Sequence, residues 1–128
     1  MTKLLLAAGL ALASLPLAAQ DAPAPAEAAL PTLSLEQRSS LRCGVAFGLI
    51  AKGQAEGDAR AASYPAMEPR GREFFVRTMA GLMDDHDLTR EQANELAFET
   101  TMTLMNEGLE AREAMMPNCL LLLEASGV

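Results

Sequence analysis

The sequence predicts an all-α protein, a small bundle of about four helices. Apolar residues recur at the i, i+3, i+4, i+7 spacing of a helix face in several stretches. Two of these stretches open on a Ser or Thr with Gln three residues later, the pattern of a capping box. The one run short enough to be a buried strand, Cys119-Leu120-Leu121-Leu122-Leu123, is built of Leu rather than β-branched residues.

The first segment predicts export rather than fold. Met1-Thr2-Lys3 gives a positive start, Leu4 to Leu15 is an unbroken run of Leu, Ala, Gly and Ser, and Leu17-Ala18-Ala19 ends in small residues after Pro16. This is the three-part pattern of a secretory signal peptide over residues 1–19, with cleavage after Ala19 and a periplasmic or secreted product. The apolar run is too short, and broken too early by Pro16, for a stable membrane anchor. Residues 20–33 form an Ala/Pro-rich linker, extended by its prolines, and residues 34–128 form the helical domain.

Four helices are expected in that domain. Ser34 caps the first, from Leu35 to Lys52, with Gln37 completing the box. Leu41, Val45 and Leu49 form one stripe, which Cys43, Phe47 and Ile50 widen beyond half the circumference, so this helix should be largely buried. Gly44 and Gly48, with Ala51, offer a narrow face for close approach of a neighbour. Gly53 to Glu68 reads as a loop with a short helical turn. Pro69 suits the first turn of a second helix reaching Asp84, with Phe75, Met79, Leu82 and Met83 on its buried face. Thr89 caps a third helix, Arg90 to Ala114, with Gln92 completing its box. On it an acidic arc (Glu91, Glu95, Glu99, Asn106, Glu110, Glu113) opposes a dry one of Ala93, Leu96, Ala97, Thr100, Leu104, Gly108 and Ala111. Pro117 is expected to end this helix, leaving a fourth from Asn118 to Ala125.

Composition excludes several function classes. The chain of 128 residues carries a net charge of −7. Removal of residues 1–19 takes away Lys3, leaving nine Lys and Arg against 17 Asp and Glu, or −8. So acidic a chain is a poor nucleic-acid binder, since phosphate neutralisation needs clustered cations. Two cysteines in an oxidising compartment predict a disulfide, Cys43–Cys119, joining the first and last helices. There is no Cys-x-x-Cys pair to suggest redox chemistry.

Asp84-Asp85-His86-Asp87 is the one cluster of metal-ligand residue types, but an EF-hand starting at Asp84 fails at Leu88 and Thr89. It reads as a solvated turn between helices, with no metal and no cofactor expected. The glutamates of the third helix lack a partner His, a phosphate loop or an activated nucleophile, so no enzyme is expected. Met79, Met83, Met102 and Met105 admit a copper-binding alternative through their thioethers, although Met in a core poor in aromatics is ordinary filler.

Leu33-Ser34-Leu35-Glu36-Gln37 and Leu88-Thr89-Arg90-Glu91-Gln92 are two copies of a Leu-(Thr/Ser)-x-x-Gln pattern. The pair resembles the doubled motif of the Spy/CpxP group of periplasmic helical proteins. That resemblance implies a bent, dimeric helical cradle acting as a holdase for unfolded clients, or a regulatory ion site. The residues themselves predict a non-catalytic module whose partner is another periplasmic protein.

Overall fold

The computed structural model describes residues 29–128; the expected signal peptide and most of the linker lie outside the described residues. The fold is all-helical: α1 (Leu35–Glu56), a short 3-10 turn (Ala61–Ser63), α2 (Arg70–His86), α3 (Arg90–Glu107) and α4 (Leu109–Ala125), with no strand among the described residues.

Helix α1 is the wall on which everything else is hung, and it touches every other element. Ser34 accepts the Gln37 amide proton through Oγ at 3.1 Å, and Gln37 Oε1 accepts the Ser34 amide proton at 3.0 Å, so both halves of the capping box are made. The two apolar stripes of α1 face different cores. Leu41 and Val45 join Leu33, Leu82, Leu88, Leu96 and Leu104 on one side. On the other side Cys43, Ala46 and Phe47 join Met67, Phe74, Met116, Cys119 and Leu123.

The helix runs past the expected end at Lys52 to Glu56 because Gly53 and Gly57 serve different purposes. A Cβ on Gly53 would lie 2.8 Å from Ala61 Cβ, so this glycine admits the returning chain while staying helical. Gly57, at φ 76°, adopts the left-handed conformation that ends the helix, and Asp58 N–H then reaches back to Gly53 O at 2.9 Å. The segment that follows is pinned by one side chain. Gln54 Nε2 donates to Ala61 O at 3.0 Å and Pro65 O at 2.9 Å, and its Oε1 accepts from Met67 N–H at 3.0 Å. Met67 is thereby seated, fully buried, in the core beside Phe47.

The expected close approach at Gly44 is present and has a counterpart on α2. A Cβ on Gly44 would lie 3.2 Å from Phe75 Cα, and one on Gly71 would lie 2.9 Å from Phe47 Cβ. The helices therefore cross antiparallel, each setting a phenylalanine against the other's glycine. Gly48, expected on the same face, meets nothing within 4 Å and is exposed.

Helix α2 ends at Asp87, whose φ of 51° makes the left-handed turn that Asp tolerates better than most residues. Thr89 and Gln92 complete the second capping box. The boundary between the last two helices differs from expectation. The break falls at Gly108, not Pro117, so α3 stops at Glu107 and α4 is a single helix from Leu109 through Pro117. Gly108 sits at φ 88° and ψ 174°, a region essentially closed to residues with a Cβ. Pro117 is exposed, and buried Met116 and Cys119 on either side hold the helix on course.

Cys43 and Cys119 form the expected disulfide, with Cα atoms 5.2 Å apart and 76 positions of separation. It ties α1 to α4 inside the core that contains the edge-to-face pair Phe47–Phe74, whose centroids are 5.3 Å apart. Closing so long a ring restricts the unfolded chain by about 4.5 kcal/mol. Cys43→Ala should lower the unfolding midpoint about as much as reductant lowers that of the native chain; no shift in either would show that the bridge carries no stability. The two α1 glycines should separate in denaturant melts. Gly44→Ala pushes on α2 backbone and should destabilise by about 1–3 kcal/mol, whereas Gly48→Ala should stabilise by up to about 1 kcal/mol.

Candidate functional site

Helix α3 buries one side only. Ala93, Leu96 and Leu104 are buried, the two leucines in the core they share with α1, and Ala97 and Thr100 are half-buried, as the dry arc required. Its far end departs from that arc: Gly108 is the break, and Ala111, on α4, is exposed.

The outer side is not simply acidic. Phe98, Met102 and Met105 follow i, i+4, i+7 spacing and are 58%, 44% and 51% exposed. At about 100° per residue they fall within one arc of about 60°. Glu91 and Glu95 share that side of the helix and Glu99 flanks it, all three exposed. The face is therefore an apolar stripe edged by carboxylates. Scattered apolar residues on a surface are ordinary, but a contiguous row on one helix is a feature of interaction surfaces.

The stripe runs into an open cavity of about 440 Å³ between the C-terminal half of α1, the 3-10 segment and the α3–α4 junction. Leu49, Ile50, Tyr64, Met105, Leu109 and Met116 line its apolar part. Two arginines hold the α3–α4 junction beside it. Arg112 donates to Leu104 O at 3.3 Å, satisfying a carbonyl that the break at Gly108 leaves free, and its Nη1 lies 3.2 Å from Met105 Sδ. Arg42 grips Glu107 with two hydrogen bonds of 2.9 and 2.6 Å, fastening the end of α3 to α1. The hydrogen bonds from Arg42 hold the Glu107 carboxyl below its usual range, and Glu107 in turn raises Arg42.

The other residues singled out by sequence have structural settings. Gln37 Oε1 already accepts the Ser34 amide proton, so His86 Nε2, 3.1 Å away, donates to it. Gln37 Nε2 donates to Asp85 Oδ2 at 3.1 Å. The capping box of α1 and the acidic turn are thus one hydrogen-bonded joint between the start of α1 and the end of α2. Among the described residues no three His, Cys, Asp or Glu gather closely enough to hold a metal ion. Leu33 and Leu88, which open the two repeated motifs, are buried in the same core. The methionines divide: Met79 and Met83 are half-buried against that core, while Met102 and Met105 stand on the exposed stripe.

Sequence reasoning missed Phe98 altogether and did not join it to Met102 and Met105. The signal was present as a second i, i+4, i+7 row lying on the acidic side.

The Arg42–Glu107 pair gives a pH dependence of known sign. A carboxyl depressed in the folded state contributes stability above its unfolded pKa and loses it as pH falls through the folded value. Glu107→Gln should therefore lower the melting temperature at neutral pH, and the gap from the native chain should close on acidification below the ordinary carboxylate range. A gap independent of pH would show that the charge on Glu107 is not what matters.

The chain matches no protein-family model, and comparisons with curated proteins and with solved structures returned no match.

Proposed function

We propose that this chain is an exported, non-catalytic protein-interaction module that engages a periplasmic partner through the outer face of α3 and the adjoining cavity. The observation that carries the proposal is the exposed row Phe98, Met102 and Met105 leading to Leu109 at the cavity edge. A non-catalytic role is supported by how the reactive residue types are used: His86 is held at the α1–α2 joint, and both cysteines are spent in one disulfide. Export is supported by the residue pattern of positions 1–19 and by the disulfide, which persists in an oxidising compartment. Among the described residues no helix is long and apolar enough to cross a membrane.

A second reading, a holdase of the kind found in the Spy/CpxP group, draws on the same exposed row and on the two Leu-(Thr/Ser)-x-x-Gln motifs. It requires that the protein delay aggregation of an unfolded client at ratios from equimolar to several-fold excess. No delay across that range would dispose of it.

Photocrosslinking amino acids placed at Phe98 and Met105, with exposed Ala80 on α2 as control, test the module in living cells. One dominant adduct at the two α3 positions and none at Ala80 is expected; the same diffuse background at all three would overturn the proposal. Intact mass of the recovered protein tests its export. A chain beginning at Gln20 and two hydrogens lighter without reductant is expected, and a full-length reduced chain would remove the premise.

A further inference from the structure

We infer that the outer face of α3 receives a cationic amphipathic helix of its partner, apolar side chains on Phe98, Met102 and Met105 and Lys or Arg against Glu91, Glu95 and Glu99. The inference rests on the interaction-module proposal and adds the partner's chemistry.

Charge supplies the direction. Among the described residues, ion pairs join Arg42 to Glu107, Lys52 to Glu56, Arg70 to Glu124, Arg72 to Glu68 and Arg77 to Glu73. Glu91, Glu95 and Glu99 take part in none of them, and five of the nine Lys and Arg in residues 29–128 are already engaged. The stripe and this row of free carboxylates share one side of one helix. An occupant covering the stripe necessarily approaches the carboxylates, and a neutral or acidic one would strip their water without replacing it. A second copy would bring a face of the same sign. A cationic helix meets both requirements, with anchors at i, i+3 or i+4, and i+7 for the stripe and positive residues along its margin.

Length agrees with that occupant. Phe98 to Met105 extends over about 10.5 Å at 1.5 Å per residue, two turns of a docked helix. The cavity beyond Met105 gives such a helix room for one larger apolar anchor at its end.

The test uses the mature, oxidised chain and three labelled synthetic 18-residue peptides. One is an amphipathic Leu/Lys helix, the second a Leu/Glu helix with the same leucine register, and the third a scrambled Leu/Lys sequence. The Leu/Lys helix should bind at least about tenfold tighter than either of the others, and should weaken several-fold between about 50 and 300 mM salt. The variant Glu91→Gln/Glu95→Gln/Glu99→Gln should lose about tenfold, and Phe98→Asp should lose at least as much. Glu36→Gln/Asp84→Asn, which removes charge elsewhere, should bind as the native chain does. All these positions are exposed, and a melting curve for each variant confirms that it is folded.

Equal affinity for the Leu/Lys and Leu/Glu helices, or for the ordered and scrambled Leu/Lys peptides, overturns the inference. Equal loss from the α3 and the distant charge variants does the same, because it reduces the attraction to net charge. A partner that crosslinks in cells from Phe98 through an acidic or extended segment also overturns it while leaving the interaction module standing. Selective binding of the Leu/Lys helix without an adduct in cells would uphold the chemistry of the face and count against the partner-binding module.

Discussion

The crossing of α1 with α2 sets how the remaining elements can pack. Two helices normally keep their axes 8–10 Å apart, at a distance decided by the side chains between them. Here the contact is glycine against phenylalanine twice over, Gly44 against the ring and backbone of Phe75 and Gly71 against Phe47 Cβ, so each helix gives way where the other is bulky. The arrangement buries Phe47 completely and brings Phe74 edge-on to it. Burying a side chain of that size is worth about 1.5–3 kcal/mol. The two glycines recover that gain in a chain with only four Phe, one Tyr and no Trp to build a core.

With α2 seated across it, α1 has two flanks left, and the molecule grows two cores rather than one. The flank of Cys43 and Phe47 takes α4, and the covalent link to Cys119 fixes that contact. The flank of Leu41 and Val45 takes α3 and, from α2, Leu82 with Met79 and Met83. Neither flank is wide enough to swallow a whole helix, so α3 is held by Ala93, Leu96 and Leu104 and by the Arg42–Glu107 clasp at its end. Among the described residues nothing packs against its other side. The exposed apolar row is thus a geometric consequence of spending α1 on two neighbours at once.

Local signals carried most of the fold. Both capping boxes, the Ser34 and Thr89 starts and the small-residue approach at Gly44 were legible because each depends on residues within a few positions of one another. The disulfide was legible because two cysteines, in a chain whose first residues predict export, leave one pairing. Where expectation and structure part, two local rules competed. Pro117 and Gly108 both disfavour a continuous helix, and on propensity alone the proline is the stronger breaker. A proline forfeits one hydrogen bond and can be carried by burial on either side, whereas Gly108 is free to take a backbone conformation that a helix does not contain. Gly53 and Gly57 present the same ambiguity, resolved by Ala61, a neighbour that sequence alone does not place. The outer face of α3 was half legible. Its carboxylates stand out as a row, but Phe98 escapes notice and Met102 and Met105 read as core filler or thioether ligands, because which side of α3 meets α1 is settled by tertiary packing.

The mixture on that face constrains any ligand more than the apolar row would alone. Each carboxylate taken from water without a countercharge costs several kcal/mol in a low-dielectric contact, comparable to what burying one of the three apolar side chains returns. A neutral unfolded segment therefore gains little from lying along the whole face and would be confined to the end nearest the cavity, away from Glu91 and Glu95. Added salt screens the carboxylates and strengthens effective apolar contact, so such a segment would bind more tightly as ionic strength rises. A cationic helix behaves oppositely, since salt weakens the attraction that draws it in. The sign of the salt dependence thus separates a holdase surface from a docking site for a particular basic partner, using the native chain and no variant at all.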